Sequence, residues 1–212
     1  MGALRYHEMV VVKRFNKNVV AGLRRGGIAV IPTDTIYGVV GSAFSRTAVE
    51  RIYRLRRRNV KKPMIVLLAS VRELSRFGVR VDAAIVSFLH RVWPGKVSVI
   101  LPVKDKRFAY LHRGTSTLAF RIPPLKSLRA LLKKTGPLVA PSANPEGKSP
   151  ARTVNEAREY FGDDVDIYVD KGKCPAHPST VVALRWGRIT LVRRGSGNTA
   201  LRQAGLKGII HP

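Results

Sequence analysis

The chain has 212 residues, 45% of them hydrophobic, enough to bury the core of one domain, with at most a small appendage. Lys and Arg number 39 against 13 Asp and Glu, and the net charge of +26 runs through both halves, so the folded body itself calls for an anionic partner: nucleic acid, nucleotide or membrane surface. A lone cysteine, Cys174, excludes an intrachain disulfide and a thiolate zinc site, and no apolar run approaches the ~20 residues of a membrane span.

Short apolar runs alternate with amphipathic stretches, which predicts an α/β fold. The run Met9–Val12 is too short for a signal peptide, so the expectation is a soluble, cytoplasmic protein with no membrane partner. Ile28 to Ile31 reads as a buried strand stopped by Pro32. Thr47 to Glu50 has the pattern of a capping box opening a helix to about Arg57. Met64–Leu68 is a strand, and Asp82–Arg91 a helix that breaks before Pro94. Val97–Leu101 and Thr117–Ile122 are strands; Leu125–Lys134 is a helix with basic residues in its last turn, where the helix dipole favours them. Leu138–Ala140 is a short strand, and Thr153 caps a helix that Gly162 ends. Asp166–Val169, Thr180–Leu184 and Ile189–Val192 are strands, the last two a hairpin turning over 185–188, so the sheet is mixed.

Three loops after short strands are rich in hydroxyls: Pro32 to Gly38, Pro141 to Ser149, and Pro178 to Thr180. Ligands of open α/β sheets collect at such loops, and hydroxyls, amides and cations hold phosphates and carboxylates. Each loop alone reads more readily as ordinary turn chemistry, and it is the three together, with the basic cluster that follows, that point to a site. Seven of the twelve residues from Arg51 to Lys62 are basic, and the cluster lies between a helix end and a buried strand. It is either a phosphate site or a solvated, nucleic-acid-binding face. Arg121, inside an apolar strand, needs a partner, a ligand or an exposed face. Asp34, between two threonines, is the best single carboxylate. Gly147-Lys-Ser149 lacks the first glycine of a P-loop and is followed by Pro150, and Cys174 with His177 is too little for zinc, so no metal-ligating residues are assigned. Any catalysis must work through positioning and charge neutralisation.

In order, Pro32-Thr-Asp-Thr-Ile-Tyr-Gly38, Arg51 to Pro63, Trp93-Pro-Gly95, Phe120-Arg-Ile-Pro123, Ala140-Pro-Ser-Ala-Asn144, Ser179-Thr-Val-Val182 and Arg193-Arg-Gly195 resemble the YrdC-like family of threonylcarbamoyl-AMP synthases, over about residues 14–199. The resemblance implies one domain over 1–212, a twisted mixed parallel/antiparallel sheet flanked by helices and curved around a basic cavity. It implies condensation of L-threonine, bicarbonate and ATP, with Mg²⁺ accompanying ATP, to threonylcarbamoyl-AMP and pyrophosphate. The product passes to a transferase complex that modifies tRNA. By resemblance Arg58, Lys62, Thr117, Ser142, Ser149 and Arg193 contact ATP, supported by Arg56 and Asn144. Thr35, Arg121, the backbone at Ala140 and Ser179 hold threonine. Arg58, Lys62 and Arg193 are the expected charge stabilisers. Arg56 stands where the family has Lys, Asn59 where it has Pro, and Glu146 where it has Ser, in a loop one residue short. The chain ends at Pro212 without the extra C-terminal domain of longer members, so any lid is expected to be local.

Two other readings remain. The same basic face could bind tRNA or double-stranded RNA through phosphates, while 7% aromatic content argues against a stacking platform for single strands. Related domains of hydrogenase-maturation carbamoyltransferases use carbamoyl phosphate, but lie in larger chains with additional modules.

Overall fold

The structure is a computed structural model describing residues 10–175, 177–185 and 188–205. Met9, the centre of the expected 185–188 turn, Ala176 beside Cys174, and the tail beyond 205 lie outside the described residues.

The strands are β1 (Val10–Val12), β2 (Ile28–Pro32), β3 (Tyr37–Ser42), β4 (Val66–Leu67), β5 (Val97–Pro102), β6 (Thr117–Arg121), β7 (Leu138–Val139), β8 (Ile167–Val169), β9 (Thr180–Arg185) and β10 (Arg188–Arg193). The helices are α1 (Lys17–Arg24), α2 (Arg46–Leu55), α3 (Ala83–Val92), α4 (Ala109–His112), α5 (Lys126–Thr135), α6 (Val154–Phe161) and α7 (Asn198–Gln203), with 3-10 turns at Val71–Phe77, Lys106–Phe108 and Gly162–Asp164. All ten strands form one sheet in the order β1-β8-β2-β3-β7-β4-β6-β5-β9-β10. It is mixed: β1, β8 and β2 run parallel, as do β4 with β6 and β5 with β9, while β3, β7 and β10 pair antiparallel.

Two cores lie on opposite sheet faces. The larger gathers Val66, Val99, Leu118, Phe120 and Val182 with α2, α3 and α6. The smaller holds Ala29, Ile31, Val40, Leu67 and Leu138 under Val19 and Leu23 of α1 and three leucines of α5. Alternate residues along each strand serve opposite faces, as the pleat requires.

The turn expected to run from Pro32 to Gly38 is shorter, because Tyr37 and Gly38 already belong to β3. Gly38 and Gly41 mask the strand pattern, yet both are needed for packing. A Cβ on Gly41 would meet Ala48 and Ile52 of α2 at 3.1 Å, and one on Gly38 would meet the carbonyl of Pro141 at 3.3 Å. The cap of α2 is Ser45, whose hydroxyl accepts from Ala48 N; Thr47 lies inside the helix. At α6, Thr153 caps as expected through Glu156 N, while the Glu156 carboxylate accepts from Arg152 N.

Candidate functional site

A cavity of about 300 Å³ opens on the face that carries Leu67. Alternation builds its floor. Thr117, Ala119 and Arg121 of β6 line it, while Leu118 and Phe120 enter the larger core behind. Ile65 and Leu67 around β4, Ile100 of β5 and Val181 of β9 supply apolar floor.

The turn from Thr33 to Ile36 forms one wall. Thr33 Oγ1 accepts from the amides of Thr35 and Ile36 at 3.1 and 3.2 Å and donates to the Ile36 carbonyl at 2.6 Å. The loop after β7 is held against β3: Val39 N donates to Pro141 O, and Ala143 N to Tyr37 O. The chain after β10 closes the far side. Gly195 packs so closely on Pro178 and Ser179 that a Cβ would lie 2.3 Å from the Pro178 carbonyl, and Ser196 N donates to that carbonyl at 2.9 Å.

Four arginines line this cavity: Arg56, Arg58, Arg121 and Arg193. Arg56, at the end of α2, is 3% exposed. Its Nε donates to Asn144 O at 2.8 Å and its Nη2 to Ser142 Oγ at 3.2 Å, but Nη1 is buried with no partner among the described residues. Burial first, and Arg58 second, pull its pKa down to about 10. Arg58 donates from Nε to Lys62 O and from Nη2 to Pro63 O. Arg193 reaches back over Ser179, donating to its carbonyl at 3.0 Å and its hydroxyl at 3.3 Å. Its pKa is lowered by burial and then by the nearby charges of Arg58 and Arg121.

Arg121 has an internal counter-ion. Its Nη1 donates to both carboxylate oxygens of Asp34, at 3.0 and 2.8 Å, and both side chains are more than nine-tenths buried. Neither Nε nor Nη2 has a partner among the described residues, and neither is sealed off as an orphaned buried donor. The guanidinium is thus anchored at one corner, with two donors left for a ligand.

Thr35, Arg121, Ala140 and Ser179 therefore meet in one cavity, as do Arg56, Arg58, Thr117, Ser142 and Arg193. Lys62, Asn144 and Ser149 do not line it. Lys62 is exposed at the rim, with Nζ 2.8 Å from Glu146 Oε1. Glu146 Oε2 accepts from Asn59 N at 2.5 Å, and Glu146 N donates to Arg56 O. Lys62 first, then the Asn59 amide, hold the Glu146 carboxyl well below the usual range, to about 2. Asn144 is buried behind Arg56, and its Nδ2 donates to the carbonyls of Pro145 and Lys148. That tight turn, with Gly147 at φ +85°, leaves Ser149 on the exposed outside. Cys174 is buried against the Thr33 carbonyl, and burial pushes its thiol pKa up. Sequence reasoning placed Thr33 in a candidate loop without giving it a role, and missed Thr115 and the apolar floor. Counting back in twos from Arg121 would have found Ala119.

No group of three or more His, Cys, Asp or Glu able to hold a metal occurs among the described residues. The lining side-chain donors are guanidiniums and hydroxyls, a set that takes anionic oxygens. In the same described residues, no helix is long and apolar enough to cross a membrane.

The fold and site thus define a mixed α/β domain whose strand-end loops close an arginine- and hydroxyl-lined cavity. Such a domain has known kin: the family model Sua5_yciO_yrdC, described as telomere recombination, matches residues 21–195, and the chain belongs to that family. The threonylcarbamoyl-AMP synthase of Marinobacter nauticus is 36% identical over 146 residues, 68% of this chain and 77% of that protein. The one from Thiobacillus denitrificans is 31% identical over 170 residues, 80% of this chain and 90% of that protein. The crystal structure of Pyrococcus abyssi Sua5 complexed with L-threonine matches at a TM-score of 0.81 and 25% identity, over 88% of this chain. This chain spans only 58% of that one.

Proposed function

We propose that this protein is an L-threonylcarbamoyladenylate synthase, a cytoplasmic nucleotidyltransferase acting on L-threonine, bicarbonate and ATP. The observation that carries the reading is the single cavity that joins a half-anchored Arg121 to Arg56, Arg58 and Arg193. One end suits a small amino acid: two free guanidinium donors for its carboxylate, with the hydroxyls of Thr35 and Ser179 beside them. The other suits phosphates, with Arg58 and Arg193 on the cavity wall and the buried Arg56 beside them. The curated relatives named threonylcarbamoyl-AMP synthase support this assignment.

The threonine amine takes up bicarbonate as a carbamate, with loss of water. A carbamate oxygen then attacks the α-phosphorus, and the bond to the β-phosphate breaks to release pyrophosphate. Nucleophile and electrophile are both anionic, so the chain must neutralise charge and hold the two in reach. Arg58 and Arg193 do so from the cavity wall, and Lys62 from the rim once Glu146 lets it go. Mg²⁺ enters as the counter-ion of ATP. The product goes to a threonylcarbamoyl transferase complex acting on tRNA, and the surplus surface cations suit an RNA in the neighbourhood.

Pyrophosphate release tests this directly. It should require ATP with Mg²⁺, L-threonine and bicarbonate together, and drop to background when any one is omitted. Release that ignores threonine, or none from folded protein at several temperatures, would refute the assignment.

A further inference from the structure

One hydroxyl of the cavity has its hydrogen placed by its neighbours. Ser98, on β5, is fully buried, and its hydroxyl has one hydrogen-bond partner among the described residues, Ser179 Oγ at 3.0 Å. Either oxygen could donate. If Ser179 did, the Ser98 hydrogen would be left without an acceptor in a site closed to water, which is the costly arrangement. Ser98 therefore donates. Ser179 Oγ also accepts from Arg193 Nη2 at 3.3 Å, so both its lone pairs are used. What Ser179 has left to offer a ligand is its own O–H.

Thr35 is not set in this way. Thr33 Oγ1 accepts from the Thr35 and Ile36 amides and donates to the Ile36 carbonyl at 2.6 Å, so its hydrogen and both lone pairs are used, and the 3.0 Å approach of the Thr35 hydroxyl fixes no direction.

We propose that Ser98 is a positioning residue that polarises the cavity, making Ser179 a hydrogen-bond donor to its ligand. A bound amino acid must put an oxygen on Ser179, so the pocket reads the direction of its ligand as well as its charge. The ligand's identity as an amino acid rests on the function proposed above; the polarity rests on the hydrogen bonds alone.

The test combines a mutant cycle with a direct view of the hydrogens, on the full chain. Ser98→Ala should weaken L-threonine, by calorimetry and by KM, about fivefold, the effect of one ordinary hydrogen bond, and leave the KM for ATP within about twofold. Ser179→Ala should weaken threonine at least as much. Adding Ser98→Ala to it should change nothing further, because Ser98 acts only through Ser179. A merely structural Ser98 would depress threonine and ATP use together, or still cost affinity in the Ser179→Ala background, and either result overturns the proposal. Neutron diffraction on the unliganded, deuterated protein should place the Ser98 deuteron toward Ser179 and the Ser179 deuteron toward the cavity. Reversed deuterons would overturn it too. Should wild-type protein show neither threonine heat nor threonine-dependent release, the proposed function fails while the neutron result still decides the polarity.

Discussion

A guanidinium on a strand between Phe120 and Ile122 has to be compensated, and at Arg121 the compensation is divided between Asp34 and the open cavity. Removing the side chain would leave Asp34 buried without its counter-ion, a change that typically destabilises a fold by ~3–5 kcal/mol. Arg121→Ala is therefore expected to lower Tm and to impair threonine use more than ATP use. Arg121→Lys separates the two effects. Lysine can still neutralise Asp34 but has no fork with donors to spare, so Tm should hold better while the KM for threonine rises by about tenfold or more. Calorimetric melting and steady-state kinetics on both variants would show it; equal losses toward ATP and threonine would place the carboxylate elsewhere. Arg58→Ala should impair ATP first, since Arg58 lines the same cavity as Arg56 and Arg193 and its charge lowers the pKa of both.

Between elements, the rim is one junction: Glu146 ties the loop after β7 to the end of α2 through Lys62, Asn59 and the Arg56 carbonyl. A carboxyl whose folded pKa is depressed adds stability above its unfolded pKa and loses it as pH falls through the folded value. With no nucleotide bound, the Glu146 carboxylate should therefore stay ionised throughout the neutral range and protonation should open the tie only near pH 2, where carboxyl ¹³C titration should find the Glu146 transition. A transition near 4 would mean the tie does not form in solution. Elements bounded by proline or glycine were legible in the sequence: β2 stops at Pro32, α3 runs from Asp82 to the Pro94 break, and α6 lies between Thr153 and Gly162. Those whose pattern is diluted were not. Gly38 and Gly41 hid β3, and Gly22 with two asparagines blurred α1. At the site, the hydroxyl loops and Arg121 stood out because polar groups at strand ends break an apolar pattern. Ser98 did not, because a small residue within Val97–Leu101 looks like core until its partner is known. Asp34 could be read as a notable carboxylate, but its pairing with Arg121 is a product of tertiary packing between the Thr33–Ile36 turn and β6.

For the whole molecule, the net charge of +26 and the four cavity arginines act on any ligand in proportion to its charge. Arg56 and Arg193 already have lowered pKa values, from burial and from like charges nearby, and an incoming triphosphate would relieve that repulsion. ATP is multiply anionic, whereas threonine near neutral pH is a zwitterion with no net charge for the long-range field to attract. Salt shortens that field, from a Debye length of about 10 Å at 0.1 M to about 3 Å at 1 M, while leaving contacts at hydrogen-bond distance far less affected. Raising NaCl across that range should increase the KM for ATP several-fold and move the KM for threonine less than about twofold. The measurement is initial-rate pyrophosphate release with each substrate varied in turn at both salt levels. Equal shifts would mean that the field serves neither substrate in particular and that the surplus charge is spent elsewhere on the surface. A shift confined to ATP would mean that the arginines found at short range in the cavity and the charge carried by the whole chain work in the same direction.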